Sequence, residues 1–445
     1  MPSKEMPVLP EDVLQLVFEY LRPPAGQERG REQLATILRA ICLTSKQFLR
    51  LARPMLYRTV NFDDSPPPNQ WERKFSQTVV QHPHLAKLVR EISFGDWEVD
   101  SQDGMYADLR QIPLYPPPSA LRPAYAEGIG PLGKIPHPIH ETEFLDDVMA
   151  GSEDALIACI LTQCPNLERL SLLIPHGFDE SWTHHVLKRA GNMQRENRAE
   201  TSMKVLPHVA ELRTEHWDTE NATPITNISE VLGIPSLRKY YGFAVDITVA
   251  GDPLEVQPLN LETIELTHSI IDADGLSRLL RCCQNLNHLS IAFGPSTVGD
   301  LDLRFDDFGD ALRAHGKKLK SLTLDIEESD FNELQEENII APLGSLKSLD
   351  ELEILKLPEV ALWGEGDEDD TEPERIGNLI DILPASLGKL FIFGEGDSNE
   401  EEKTAQIEAA IDGMGNLRLV KFGRERFSKD EDETEEIGAG NEDAE

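Results

Sequence analysis

The spacing of apolar positions divides the chain into two regimes. Over residues 7–21, PVLPEDVLQLVFEYL, it is helical: Val13, Val17 and Leu21 fall four apart, and Leu14 and Phe18 widen the stripe. Pro10 fits a first helical turn, and Glu11 and Asp12 suit the positive end of the helix dipole. Pro23-Pro24 stop the helix. After a polar stretch, residues 25–33, Leu34, Ile37, Leu38 and Ile41 predict a second amphipathic helix. Thr44 and Gln47 offer a capping box for a third, with Phe48, Leu51 and Ala52 on its apolar face and Pro54 as its boundary. Three such short helices form a marginal core and gain most by packing against something else.

Further along, L-x-x-L-x-L recurs. The clearest copies are Leu167-Leu170-Leu172, Leu261-Ile264-Leu266, Leu286-Leu289-Ile291, Leu319-Leu322-Leu324, Leu352-Leu355-Leu357 and Leu387-Leu390-Ile392. Weaker copies start at Val89, Val209, Leu237 and Leu417. From Leu237 onward the starts are 24, 25, 33, 33, 35 and 30 residues apart. Helical patterns lie between them: Asp272 caps Leu276, Leu279, Leu280 and Cys283, and Phe308/Leu312 and Ile376/Leu379/Ile380/Leu383 look similar. One strand-then-helix unit cannot bury its own apolar face. Stacked units can, which predicts an α/β solenoid with a parallel sheet on its concave face. Residues 100–140 are Pro-rich and read as a long loop interrupting the array.

Two-residue alternation turns the third and fifth positions of each strand to the concave face. Across ten strands these positions hold six Lys or Arg (Arg169, Arg213, Lys239, Lys356, Lys389, Lys421) and three Glu (Glu91, Glu211, Glu265). The whole chain carries a net charge of −38, so this is a local reversal. It predicts recognition of an acidic or phosphorylated segment, with Arg169, Arg213, Lys239 and Lys389 offering charge and Tyr241 and Phe391 apolar contact.

The charge is uneven elsewhere too. Residues 1–60 hold nine basic and six acidic side chains, so the acid excess lies beyond them. Acid clusters occur at 365–374 and 395–402, and the segment from Lys429 to the end is nearly all acidic, Gly and Ala, as in a disordered tail. Such a surface argues against nucleic acid or anionic lipid as partners. Five scattered cysteines in apolar contexts read as reduced, buried thiols. No secretory signal or membrane span is expected, which points to a cytoplasmic or nuclear setting. The GIGPLG run at 128–133 follows no strand and contains a proline, so it is not a dinucleotide site. His184/His185 and Cys159/Cys164 lack metal-ligand spacing. Nothing proposes catalytic residues, a metal or a cofactor.

Two segments carry a family likeness. LPEDVLQLVFEYL followed by ICLTSKQFLRLARPMLY resembles the F-box of fungal F-box proteins, in both its Leu-Pro-acid-acid-apolar-apolar opening and its Ser-Lys, aromatic, Pro, Leu-Tyr close. The likeness covers about residues 7–60. The repeats resemble the leucine-rich repeats that often follow an F-box. They depart from them where an asparagine ladder would stand: Ser269, Gly294, Glu327 and Val360 occupy that place.

The resemblance implies three parts: an adaptor-binding domain at 1–60, an irregular leucine-rich-repeat solenoid at 61–427 with the Pro-rich insertion, and an acidic tail at 428–445. It also implies docking on a Skp-family adaptor, and through it a cullin scaffold. The contact residues would be Leu9, Pro10, Val13, Leu14, Val17 and Leu21, with Leu38, Ile41 and Leu43 behind them. The expected role is a non-catalytic receptor that holds a protein target for a ubiquitin ligase. The rival roles are a scaffold without ubiquitin transfer and an acidic binder of basic nuclear proteins.

Overall fold

The computed structural model describes residues 10–21, 28–62, 70–95, 97, 116–129, 141–195, 205–216, 222–248, 258–294, 304–326, 341–364, 378–394, 400–423 and 425–428. The chain forms two compact units, Met1–Ala210 and Glu211–Glu445.

The first unit opens with helices α1 (Glu11–Tyr20), α2 (Glu28–Thr44) and α3 (Lys46–Leu56). Phe18, Leu38 and Ala52 form their buried centre, ringed by Leu34, Ile41, Cys42, Phe48, Leu51, Met55 and Leu56. All three helices were expected, but their ends differ. Most of the polar stretch 25–33 is helix, because α2 starts at Glu28. Ser45, not Thr44, caps α3, accepting the Phe48 N–H at 3.1 Å. The Thr44 hydroxyl donates back to the Ile41 carbonyl at 2.8 Å and is spent closing α2. Pro54 lies inside α3, which runs on to Leu56.

Strands β1 (Thr59–Asn61), β2 (Glu91–Phe94) and β3 (Arg169–Ile174) pair in parallel, with Val60, Ile92 and Leu170 in one register. Helices α4 (Gln70–Gln81) and α5 (Pro83–Ala86) lie between β1 and β2 in sequence. Helices α6 (Arg122–Ile129), α7 (Glu141–Ala150) and α8 (Glu153–Gln163) lie between β2 and β3, and α9 (Trp182–Arg195) follows β3. Every residue from Glu153 to Leu161 is buried, so α8 is the centre of this unit. Asp154 receives the Trp182 and Thr183 N–H groups at 2.6 and 2.9 Å, placing a carboxylate at the start of α9. Helix α6 corrects the expected loop: Tyr125 is fully buried, its hydroxyl 2.9 Å from that of Ser76 on α4. Burial pushes the Tyr125 phenol up to about 12.

The array expected over 61–427 falls in both units: β1 to β3 lie in the first, and the second holds the later repeats as an irregular leucine-rich-repeat run of parallel strands with helices between them. In chain order it holds β4 (Glu211–His216), β5 (Thr223–Pro224), α10 (Ser229–Leu232), β6 (Lys239–Phe243), β7 (Val245–Ile247), β8 (Thr263–Ile271) and α11 (Ala273–Cys282). There follow β9 (His288–Phe293), α12 (Phe305–His315), β10 (Ser321–Asp325), β11 (Ile354–Pro358), α13 (Glu359–Trp363), α14 (Leu379–Ile382) and β12 (Lys389–Phe393). Last come α15 (Glu400–Gly413), β13 (Leu419–Phe422) and β14 (Glu425–Ser428). Strands β4, β6 and β8 to β13 pair in parallel with equivalent positions opposite each other, as in Lys239↔Thr263↔His288↔Ser321↔Ile354↔Lys389↔Leu419. The last strand, β14, is antiparallel to β13. Strands β5 and β7 form a short second strip beside β8.

The repeat is visible in the backbone. Two successive N–H groups at the start of each strand from β8 to β13 bond to one carbonyl in the preceding repeat, as Asn287 and His288 do to Glu262, Lys320 and Ser321 to Asn287, and Glu353 and Ile354 to Lys320. The same device ties Glu168 and Arg169 to Arg90 in the first unit. The opening residue of every repeat, from Leu237 to Leu417, is buried to 2% exposure or less. Two glycines let helices approach the backbone. A Cβ on Gly275 of α11 would sit 1.7 Å from the Ile247 carbonyl oxygen, and one on Gly309 of α12 would sit 1.9 Å from that of Leu343.

Two polar devices stand inside the apolar stack. Ser269, at the place of the missing asparagine, accepts the Val245 N–H at 3.1 Å and donates to the Thr267 carbonyl at 2.9 Å. Thr214 stands where a leucine is usual, and its hydroxyl lies 2.8 Å from that of Tyr240. A Cβ on Gly242 would come within 2.8 Å of that phenol oxygen, so glycine there makes room for it. Asp272 caps α11 as expected, accepting the Gly275 N–H at 2.6 Å.

Candidate functional site

Helix α1 is apolar on two sides. Leu14 and Phe18 point inward, and the Phe18 ring meets Phe48 of α3 edge-on at 6.0 Å. Glu11 pairs with Arg50 of α3. The adjoining arc carries Val13, Leu16, Val17, Tyr20 and Leu21, all exposed. Their spacing of three, four, seven and eight residues from Val13 makes a continuous stripe. Tyr20 is 91% exposed. Helix α2 adds exposed Ile37 and Leu43. An apolar stripe of this length left in water is an interaction surface by default.

The expected adaptor contacts therefore separate. Val13, Val17, Leu21 and Leu43 are exposed and available, and Pro10 is exposed at the start of α1. Leu14 and Leu38 are buried in the internal core, and Ile41 packs against it. These three are structural, because a three-helix cluster this small needs every inward side chain. Leu9 lies outside the described residues. Leu16, Tyr20 and Ile37 stand outside the expected contact set, although the spacing 13, 16, 17, 20, 21 is present in the sequence.

The second candidate surface is the sheet face turned away from the buried leucines. Burial alternates along the strands as predicted, so the third and fifth positions do reach this face. In the first unit Arg169 is ion-paired with Glu91, directly opposite it on β2. In the second unit Arg213 is paired with Glu211 at 2.9 Å, and its guanidinium lies 4.2 Å from the centre of the Tyr241 ring. Lys239 stands opposite Glu211 in the β4–β6 register, and Glu265 pairs with His288 at 3.4 Å. Burial, and after it Glu211 and Glu265, push the Tyr241 phenol up. Arg169 and Arg213 thus have carboxylate partners of their own, which their positions in sequence did not reveal.

At the other end of the second unit, Lys389 and Phe391 lie on β12, with Lys356 opposite Phe391 and 5.3 Å above its ring. The predicted site residues therefore divide: Arg169 lies in the first unit, and Arg213, Lys239, Tyr241, Lys389 and Phe391 lie on β4, β6 and β12 of the second. Tyr241 sits beside Arg213, and Phe391 sits one strand along from Lys356.

The buried cysteines are packing groups. Burial pushes the Cys159 thiol up to about 12 and those of Cys164 and Cys283 higher still. Among the described residues no helix is long and apolar enough to cross a membrane, and no cluster of three or more His, Cys, Asp or Glu is placed to hold a metal.

No family model matches the chain, and no curated protein matches it. Solved structures resemble it distantly. An internalin from Listeria monocytogenes is 12% identical over 60% of this chain and 57% of its own, with a TM-score of 0.30. The yeast Rad7 and Elc1 complex is 13% identical over 88% of this chain and 94% of its own, with a TM-score of 0.26. The TLR13–ssRNA13 complex is 12% identical over 76% of this chain and 52% of its own, with a TM-score of 0.23. The chain thus spans little more than half of the internalin and TLR13 chains. At these scores the likenesses carry no functional information.

Proposed function

We propose that this chain is the substrate receptor of a ubiquitin ligase. Its N-terminal helices dock on a Skp-family adaptor, and through it a cullin, while the open sheet face holds a protein target. The observation that carries the adaptor half is the two-sided apolar character of α1. Leu14 and Phe18 complete the internal core, and Val13, Leu16, Val17, Tyr20 and Leu21 remain in water. The F-box resemblance of residues 7–60 supplies the partner, and a sheet face that varies in side chain from repeat to repeat supplies the receptor surface.

In this reading the chain makes and breaks no bonds. It holds the target's lysines at high local concentration near a ubiquitin-charged enzyme carried elsewhere on the scaffold. Its setting is cytoplasmic or nuclear, and it needs no cofactor.

Leu16 is 58% exposed and Val17 48%. Covering what remains of each contributes about 1 kcal/mol. A Leu16→Ser/Val17→Ser variant is therefore expected to weaken adaptor binding about thirtyfold. The test is affinity purification with mass spectrometry, comparing wild type with this variant. Loss of adaptor and cullin with other partners retained supports the proposal, and undiminished adaptor recovery overturns it. Adaptor recovered from wild type without any cullin replaces the ligase reading with the scaffold.

A further inference from the structure

The two ends of the second unit's open face differ in charge, and the difference lies in the pairing. At β4 to β9 the basic groups stand beside acids: Arg213 with Glu211, His288 with Glu265, Lys239 opposite Glu211. At β11 to β14 the same two rows contain no carboxylate. One row reads Lys356, Phe391, Lys421, Arg426, each directly opposite the next. Lys389 stands two residues before Phe391 on the same face. With strands about 4.8 Å apart, that row spans about 14 Å. Lys421 and Arg426 are exposed, and Lys356, Lys389 and Phe391 are half-buried. Among the described residues, Lys356, Lys389 and Lys421 make no ion pair. The neighbouring strand β10 adds Ser321 and Thr323 to these rows, with Asp325 beyond them.

We infer that this end of the sheet is a docking surface for an acidic peptide segment of a partner protein, rich in Asp and Glu and carrying one apolar side chain. The carboxylates meet Lys356, Lys389 and Lys421, and the apolar side chain rests on the edge of Phe391 left uncovered by Lys356. Charge complementarity selects the occupant. This is a cation cluster on a chain of net charge −38, and a basic or neutral segment gains nothing from it. The inference rests on the receptor half of the proposed function and is independent of the adaptor.

The test uses the full chain and a fluorescently labelled twelve-residue peptide of glutamates with one central leucine, read by anisotropy across a salt series. Lys389→Glu/Lys421→Glu is expected to weaken binding at least tenfold and to flatten its salt dependence. Lys317→Glu/Lys318→Glu, with the same charge change at the exposed turn before β10, is expected to change it less than twofold. Phe391→Ala is expected to weaken the leucine-containing peptide but not its all-glutamate counterpart. Equal losses in the two charge-reversed variants would reduce the effect to bulk charge and overturn the proposal. So would binding seen only when the chain ends at Ser428. In that case the occupant would be the chain's own acidic run at 430–436. Adaptor recovery by the same variants, expected unchanged, separates failure here from failure of the adaptor reading.

Discussion

The Tyr240–Thr214 pair gives a sharp test of how this solenoid tolerates polarity in its stack. Both side chains are buried, at 1% and 3% exposure, and their hydroxyls are 2.8 Å apart. Burial pushes the Tyr240 phenol far up, so it stays neutral, and one of the two hydroxyls donates to the other. Tyr240→Phe keeps the ring and leaves the Thr214 hydroxyl in an apolar stack, at a cost of about 2 kcal/mol for an unsatisfied buried group. Thr214→Val keeps the shape and strands the phenol hydroxyl at a similar cost of about 2 kcal/mol. The double variant leaves neither group unpaired and loses only the net worth of one hydrogen bond, about 1 kcal/mol. The costs are thus non-additive by about 3 kcal/mol. Urea unfolding followed by far-ultraviolet circular dichroism measures all four proteins. With a slope of about 3 kcal/mol per molar for a unit of this size, each single variant shifts the midpoint down by about 0.7 M. The double variant lies between them and wild type. A double variant as unstable as the sum of the singles would refute the reasoning, because the two hydroxyls would then not be each other's partner.

Other outcomes follow from the same geometry. Phe18→Ala is expected to cost about 3 kcal/mol and open residues 10–57 to protease, while Leu16→Ala, on the exposed side of α1, leaves cleavage at the wild-type rate. Gly275→Ala places a methyl against the Ile247 carbonyl and is expected to cost about 1–3 kcal/mol, read as a lower thermal midpoint. Lys403 and Glu359 form a mostly buried ion pair, 12% and 13% exposed. Lys403→Met strands the carboxylate and is expected to cost about 3–5 kcal/mol, most of it returned in Lys403→Met/Glu359→Met. Equal stability of the two variants in urea would contradict that account.

The repeats were legible because each strand advertises itself locally. The pleat buries the fourth and sixth positions and the turn leading into the strand buries the first, and Leu286, Leu289 and Ile291 state this in six residues. The N-terminal helices were legible for the same reason. What periodicity could not show was any element without two distinguishable faces. Helix α8 is buried all round from Glu153 to Leu161, so its sequence has no polar side to mark a period. Helix α6 hides in a Pro-rich run, anchored by the long-range contact of Tyr125 with Ser76, which no local pattern encodes. Alternation places the open face's side chains position by position but does not encode how they pair. That Arg169 meets Glu91 and Arg213 meets Glu211 depends on register and rotamer, and Arg426 joined the face only once β14 turned back antiparallel. The split of α1 into core-facing Leu14 and Phe18 and solvent-facing Leu16 and Tyr20 likewise needed the position of α3.

Hydrogen–deuterium exchange of the full chain, with and without saturating purified Skp-family adaptor, addresses the central claim most directly. The account expects added protection at the amides of residues 11–21, with the sheet strands of both units unchanged. An unaltered exchange rate along α1, or protection confined to the strands, would contradict it.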